Sequence, residues 1–128
     1  MAEFSDFMEN KIIDHMLRNQ AYTPPTTVYV ALYTSDPTDA DTGTEVSGGS
    51  YARQAAGLSA ASGGASSNAA DITFPQATAD WGAITHIGLR DALTAGNLLM
   101  HSPLDASKTV NNGDTFKINT GDLDVTVA

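Results

Sequence analysis

The stretch DWGAITHIGLRDALTAGNLLMHSPL, Asp80 to Leu104, decides the fold. It holds the only tryptophan of the chain, two of its three histidines and a dense run of large apolar residues. We predict a β-hairpin with one strand over Ile84 to Leu89 and a return strand over Leu98 to His101. The residues TAGN, 94–97, mark the turn, because Gly and Asn tolerate positive φ. The hairpin is expected to form the middle of a β-sandwich.

Short apolar segments recur along the rest of the chain, separated by turns rich in Gly, Asn, Asp and Pro. Val28 to Thr34 is apolar on both faces and is therefore expected to lie centrally, covered on both sides. Pro103 is expected to break the ladder of the hairpin. About seven short strands at this spacing predict a mainly β, sandwich or jelly-roll-like fold. Four further strands are predicted. The segment Tyr51 to Leu58 begins as a strand, and the other three are Asp71 to Phe74, Thr115 to Asn119 and Leu123 to Val127.

An amphipathic helix is predicted near the N-terminus, from about Ser5 to Arg18, with Ser5 as N-cap. Pro24 and Pro25 prevent its continuation. The helix either lies as a flap over one end of the sandwich or forms an arm that docks on a neighbouring subunit. We expect a single domain over 1–128, with a helical arm over 1–22 and a sandwich over 26–128.

Charge and composition restrict the partners. The 6 basic and 15 acidic residues give a net charge of -9, which argues against binding to nucleic acid or to anionic membranes. The absence of cysteine excludes disulfides and thiolate sites. No apolar run reaches the roughly 20 residues that span a bilayer, and the acidic N-terminus does not match a signal peptide. The chain is expected to be made in a cytoplasm and to remain soluble.

Two polar segments leave alternatives open. Asp36 to Gly49 carries four carboxylates, so we weighed calcium, but the spacing differs from that of an EF-hand and a solvated acidic loop is the expectation. Ser59 to Asn68 consists almost entirely of Ala, Ser and Gly. It forms either a flexible loop or an extended strand that another subunit approaches closely.

No catalytic, cofactor-binding or metal-binding residues are predicted. The three histidines show no short metal-ligand spacing, and no nucleophile or phosphate-binding motif occurs. His86 and His101 are therefore expected to be structural or surface residues. Arg53 and Arg90 pair with a carboxylate either inside the domain or across an interface. The candidate interface residues are Phe4, Met8, Ile12, Met16, Arg53, Trp81, His86 and Arg90.

Four phrases carry a resemblance to a known family. They are VYVALYTSDPT (28–38), GTEVSGGSYARQ (43–54), ITFPQATADWGAITHIGLRDA (72–92) and KTVNNGDTFKINTGDLDVTV (108–127). Together with the helix they cover nearly the whole chain. The sequence resembles small virion structural proteins of tailed bacteriophages, often labelled tail fibre proteins. The resemblance implies a non-enzymatic virion component without cofactors.

The role within the virion stays open between two hypotheses. A compact acidic β-domain with a short helical arm favours a capsid decoration (cement) protein, which binds the major capsid protein as a small homo-oligomer, a dimer or trimer. The alternative is a component of the tail fibre or tail tip that takes part in host attachment. The chain contains neither the repeats nor the sustained heptads of a fibre shaft. A glycan hydrolase is disfavoured, because it needs two carboxylates facing each other across a cleft.

Overall fold

A computed structural model describes residues 3–127 of the chain. Within these residues the chain forms nine β-strands and one α-helix, which is the predicted balance of a mainly β fold with an N-terminal helix. In chain order they are β1 (Glu3–Phe4), α1 (Asp6–Leu17), β2 (Tyr29–Tyr33), β3 (Gln54–Ala55), β4 (Ala65–Ser67), β5 (Ile72–Thr73), β6 (Gly82–Arg90), β7 (Leu98–Val110), β8 (Lys117–Ile118) and β9 (Asp124–Thr126).

The predicted hairpin is confirmed as β6 and β7, and both strands are longer than expected. They lie within a five-stranded antiparallel sheet of order β1-β7-β6-β2-β3. Ala95 and Gly96 reverse the chain with φ of 52° and 74°, within the predicted turn. The carboxylate of Asp91 closes the loop by accepting the backbone N–H of Asn97 at 2.7 Å.

The ladder between β6 and β7 is interrupted next to Pro103, as predicted, although β7 itself continues to Val110. His86 lies opposite Pro103, whereas Ile84 lies opposite Lys108, so β7 contains extra residues that β6 does not match. A proline has no N–H to donate, and an irregularity of this kind is where a sheet tolerates its loss. The interruption is therefore local, and the ladder resumes as far as Val110.

β2 lies between β6 and β3, as its two apolar faces predicted. Its residues Val30 to Tyr33 are each at most 1% exposed. The strand is covered on both sides. One of its faces packs in the main core, and on the other face Ala31 and Tyr33 form a second apolar cluster with Leu98.

The main core lies between the large sheet and two small ones, in which β4 pairs with β9 and β5 pairs with β8. Its cluster joins Val30 and Ile84 of the large sheet to Ile72 of β5, Phe116 next to β8 and Leu123 next to β9. A shared apolar layer between sheets is the arrangement of a β-sandwich. The fold is accordingly sandwich-like.

The Ala/Ser/Gly segment contains an extended strand over part of its length. Ala65–Ser67 forms β4. Ser59 accepts hydrogen bonds from the Ser66 hydroxyl and the Ser67 N–H, and its own N–H donates to the Ser67 carbonyl. The strand that pairs with it is β9 of the same chain, and the close approach of another subunit stays a prediction.

Helix α1 matches its predicted span within a residue at each end. Ser5 caps it, with Oγ accepting the N–H of Met8 at 3.2 Å. The arm also contributes β1, the edge strand of the large sheet, which was not predicted. The division into an arm over 1–22 and a sandwich over 26–128 stays a prediction, and its ends at Met1, Ala2 and Ala128 lie outside the described residues.

The acidic loop after β2 lies against the second face of the large sheet, although its Asp36, Asp39 and Asp41 side chains stay partly in solvent, as expected of an acidic loop. His86 and Arg90 alternate with Ile87 and Leu89 along β6, and the loop lies on the histidine and arginine side. Its Pro37 is buried. Three side-chain pairs join loop to sheet: Asp36 with His86 at 3.9 Å, Asp39 with His101 at 2.7 Å and Asp41 with Arg90 at 2.8 Å.

Candidate functional site

An apolar stripe at the end of helix α1 is exposed. Three of the six large apolar side chains that are exposed among residues 3–127 lie there: Ile13, Met16 and Leu17, at 50%, 70% and 79%. Their i, i+3, i+4 spacing puts them on one face of the helix, which we call the outer stripe. On the other side of the helix, Phe7 and Met8 pack against the main core. An exposed apolar stripe on an otherwise anchored helix is a typical docking surface for a protein partner.

The N-terminal end of helix α1, which we call its root, is held on the sheet by hydrogen bonds. The backbone N–H of Ser5 donates to the Leu99 carbonyl at 2.9 Å, and the Ser5 hydroxyl donates to the Leu98 carbonyl. The N–H of Asp6 donates to the carbonyl of Asp39 in the acidic loop at 2.9 Å. Because these bonds fix the first turn, the outer stripe is presented in a defined direction.

Arg90 connects β6 to the acidic loop and to the hairpin turn. Its guanidinium forms a two-pronged pair with Asp41 (2.8 and 2.9 Å) and donates to the Tyr33 hydroxyl and the Gly96 carbonyl, both at 2.9 Å. Burial alone would lower the pKa of Arg90, but the hydrogen bonds to Asp41 and Tyr33 outweigh it and raise the pKa. The charge is therefore fully paired inside the chain.

Arg53 and Glu45 form a second internal pair. The guanidinium of Arg53 binds both carboxylate oxygens of Glu45, at 2.8 and 2.7 Å, and donates to the carbonyls of Ala92 and Ala95. The Tyr51 hydroxyl donates to Glu45 at 2.6 Å. Burial would raise the pKa of Glu45, but the hydrogen bonds from Arg53 and Tyr51 and the nearby positive charge together lower it.

Both arginines thus take the internal alternative of the two that the sequence left open. Trp81 is also internal: it is 6% exposed, packs edge-on against Tyr51 at 5.4 Å and donates its indole N–H to the Gly49 carbonyl at 2.9 Å. These contacts explain the burial of all three residues without a partner chain.

The other candidate interface residues divide by exposure. Phe4 and Met8 are partly buried against the main core, Ile12 and His86 are partly buried, and Met16 is largely exposed. An interface role for any of the eight stays a prediction. Ile13 and Leu17 were not among the candidates, although the apolar periodicity that selected Met16 also contained them.

An arrangement suggestive of nucleophilic catalysis does not form at His86. Its Nδ1 is hydrogen-bonded to the Thr85 hydroxyl at 2.8 Å, but Nε2 lies 3.9 Å from Asp36, beyond hydrogen-bonding distance. Nucleophilic catalysis of this kind needs a histidine base that a carboxylate orients through a hydrogen bond, and Asp36 makes no such bond to His86.

A groove of about 260 Å³ lies between β7 and the C-terminal strand and contains carboxylates. Asp105, Asp122 and Asp124 line it, and all three are exposed.

Residues that could hold a metal ion converge at one place among residues 3–127. Glu3, Asp39 and His101 each direct a ligand atom to within 4.8 Å of the others. Asp41 and Glu45 of the acidic loop are instead paired with Arg90 and Arg53, so the four carboxylates of the loop do not converge on one calcium site. No helix within the described part of the chain is long and apolar enough to cross a bilayer.

Comparison with known protein families decides the class. A family model described as "Podophage GP4 fiber I protein gp80" matches residues 3–126. The chain belongs to this fibre family. It is thus a tail-fibre-like structural protein of a tailed bacteriophage and a component of the virion, as the resemblance implied. No match is found among curated proteins.

Proposed function

We propose that the chain is a non-enzymatic component of the phage tail fibre. The observation that carries this proposal is the family match, which spans nearly all of the sequence and names a fibre protein. Residues 3–127 form one sandwich-like unit around a shared core, and in this proposal that unit serves as a compact module of the fibre. The internal pairing of Arg53 and Arg90 supports a mainly structural role, because these charges are used to rigidify the module.

The outer stripe supplies the attachment surface in this proposal. Burying Ile13, Met16 and Leu17 against a neighbouring virion subunit removes apolar surface from water, which favours association by about 25 cal/mol per Å². The fixed root of α1 lowers the entropic cost, because the helix is already held in position before it binds.

The location of the protein in the particle tests the proposal. Purified virions are separated into heads and tails, each fraction is analysed by mass spectrometry, and intact particles are labelled with antibodies against the chain. We expect the protein in the tail fraction and label at the fibres. Confinement to heads would overturn the proposal.

Capsid decoration is the second candidate and rests on the compact acidic domain. The family description favours the fibre over it. The two differ in a further measurement: a decoration protein raises the thermal and chelator resistance of heads when added back, whereas a fibre component leaves both unchanged.

A role in host attachment is the finer part of the fibre proposal. Purified protein carrying a fluorescent label is mixed with host cells and with cells of a resistant strain. Binding to the host alone supports attachment by this module. Equal binding to host and resistant cells, or binding to neither, indicates that the module has a structural role in the fibre.

The outer stripe is tested by Met16→Asp and Leu17→Asp. Both side chains are largely exposed, so the variants should fold like the wild type and should be lost from assembled particles. Asn10→Asp is the matched control, because it adds a charge at another exposed position of α1. Normal incorporation of folded Met16→Asp and Leu17→Asp would exclude the outer stripe as the attachment surface.

A further inference from the structure

We propose that Glu3, Asp39 and His101 bind a divalent transition-metal ion, with Zn²⁺ as the best match. The three residues lie 98 positions apart in sequence at their extremes, so no short motif reveals them. The sheet brings two of them together, because Glu3 and His101 are direct partners in the antiparallel pairing of β1 with β7 and project to the same face. The acidic loop supplies the third.

The distances are close to those of a coordination shell. His101 Nε2 lies 2.7 Å from Asp39 Oδ1 and 4.0 Å from Glu3 Oε2. Zinc–ligand bonds of about 2.0–2.2 Å place two ligands of a tetrahedral ion about 3.3 Å apart. The observed separations fall on either side of this value, and the exposed Glu3 side chain can rotate to adjust. The ion takes the place of the hydrogen bond between His101 Nε2 and Asp39 Oδ1.

His101 distinguishes this set from an ordinary acidic patch. Its side chain is 5% exposed and directs Nε2 toward both carboxylates. On the other side of the ring, Asp36 lies 3.9 Å from Nδ1. This distance is too long for a hydrogen bond, so Asp36 places a negative charge behind the ring without fixing its tautomer.

The backbones that carry the ligands are tied to one another. Glu3 lies in a paired strand, and the carbonyl of Asp39 accepts the N–H of Asp6 at 2.9 Å. Ligands held before binding lose little entropy on binding.

The donor chemistry selects the class of ion. One imidazole and two carboxylates suit Zn²⁺ and its neighbours in the first transition series. Calcium needs six to eight oxygen ligands, and magnesium keeps its waters, so neither fits this three-ligand set. A bound ion joins β1 to β7 and thereby strengthens the root of helix α1.

The test uses the full chain without an affinity tag, stripped with EDTA and dialysed. Zn²⁺ is titrated by calorimetry, and thermal unfolding is recorded with and without the metal. We expect one ion per chain and, at a free Zn²⁺ concentration of 100 times Kd, a rise in Tm of about 10 °C. Millimolar Ca²⁺ should leave Tm unchanged.

Glu3→Gln separates metal binding from folding, because Glu3 is exposed and the substitution preserves its shape. It should weaken Zn²⁺ affinity by at least about 10-fold, because losing even a residue that only supports a metal ligand typically costs about 10–100-fold. Glu9→Gln is the control on the adjacent helix and should bind like the wild type. Addition of Zn²⁺ should also shift the side-chain ¹⁵N resonance of His101 Nε2.

Two results would overturn the proposal. One is the absence of a Zn²⁺-dependent rise in Tm in the wild type. The other is equal Zn²⁺ affinity in the wild type, Glu3→Gln and His101→Gln, which would place the ion elsewhere on the chain.

Discussion

Replacing Arg90 by lysine should destabilise the fold although the charge is kept. The arginine side chain is 9% exposed and its guanidinium contacts Asp41, Tyr33 and two carbonyls of the hairpin turn. A lysine ammonium can reach Asp41 but cannot reproduce the planar fork. Arg90→Lys therefore retains the ion pair and loses most of the other hydrogen bonds.

The size of the effect follows from which acceptors remain without a donor. The carbonyls at the turn belong to exposed residues, so water can replace the guanidinium there. The hydroxyl of Tyr33 cannot be hydrated, since that residue is 1% exposed. A hydrogen bond to a charged group contributes about 1.5–3 kcal/mol, and an unsatisfied buried group costs about 1–3 kcal/mol. Allowing for partial compensation by lysine, we expect a loss of about 2–3 kcal/mol in the free energy of unfolding.

Urea unfolding followed by tryptophan fluorescence measures this loss, because Trp81 is the single tryptophan and is buried. The corresponding decrease in Tm is about 10 °C for a chain of this length. Arg18→Lys is the matched control: its pair with Asp14 is on the surface, with the arginine side chain 63% exposed. The control should change the free energy of unfolding by less than about 0.5 kcal/mol.

A double-mutant cycle with Tyr33→Phe isolates the hydroxyl contribution. Without that hydroxyl, Arg90→Lys should cost about 1 kcal/mol less than in the wild type. A loss below about 1 kcal/mol for Arg90→Lys, together with zero coupling to Tyr33, would refute the assignment of Arg90 as the internal connection between loop and sheet.

Three further predictions address other contacts. Ser5→Ala removes the helix cap and a buried hydrogen bond, and it should lower the free energy of unfolding by about 2 kcal/mol. Amide hydrogen exchange in α1 should also become faster. The exposed Ser47→Ala is the control, and equal stability of the two variants would contradict the capping role. Gly88→Ala places a Cβ 2.8 Å from a leucine and a tyrosine side chain. It should lower the free energy of unfolding in urea by about 1–3 kcal/mol, whereas the control Ala83→Ser on the exposed side of β6 should leave it unchanged. An unchanged stability in Gly88→Ala would show that this face is loosely packed. The lowered pKa of Glu45 means that its pairing stabilises the fold above the unfolded pKa of about 4.3 and that this contribution is lost as pH falls through the folded value. The stability difference between wild type and Glu45→Gln should therefore shrink on going from pH 7 to pH 3, and a constant difference would count against the pairing.

Prediction from sequence succeeded where the signal is local. The cap at Ser5 and the four-residue apolar period define α1, because both act within one or two turns of helix. The apolar run of β2 and the hairpin turn around Gly96 are equally local. The two-residue strand β1 was missed because a period cannot be read from two residues. β4 contains only Ala and Ser, so its identity depends on pairing with β9, about 60 positions later in the chain.

The candidate site was only partly predictable, for a related reason. The outer stripe follows from helical periodicity, although exposure of Met16 and burial of Met8 could not be distinguished until the packing of α1 was known. The partners of Arg53 and Arg90 were open, because opposite charges distant in sequence become neighbours only when strands pair. The Glu3, Asp39 and His101 cluster is assembled from three separate segments.

The sequence by itself determined a mainly β chain with a capped N-terminal helix, a central hairpin from Asp80 to Leu104 and, through its resemblance, a phage virion component. Alternating and helical periodicity reflect the geometry of one element at a time, which the residues of that element carry. Only the tertiary structure decided that the acidic loop covers the sheet, that both arginines are satisfied internally and that three distant ligand residues meet. Those outcomes depend on which strands become neighbours, and that choice is made by burial of the whole core.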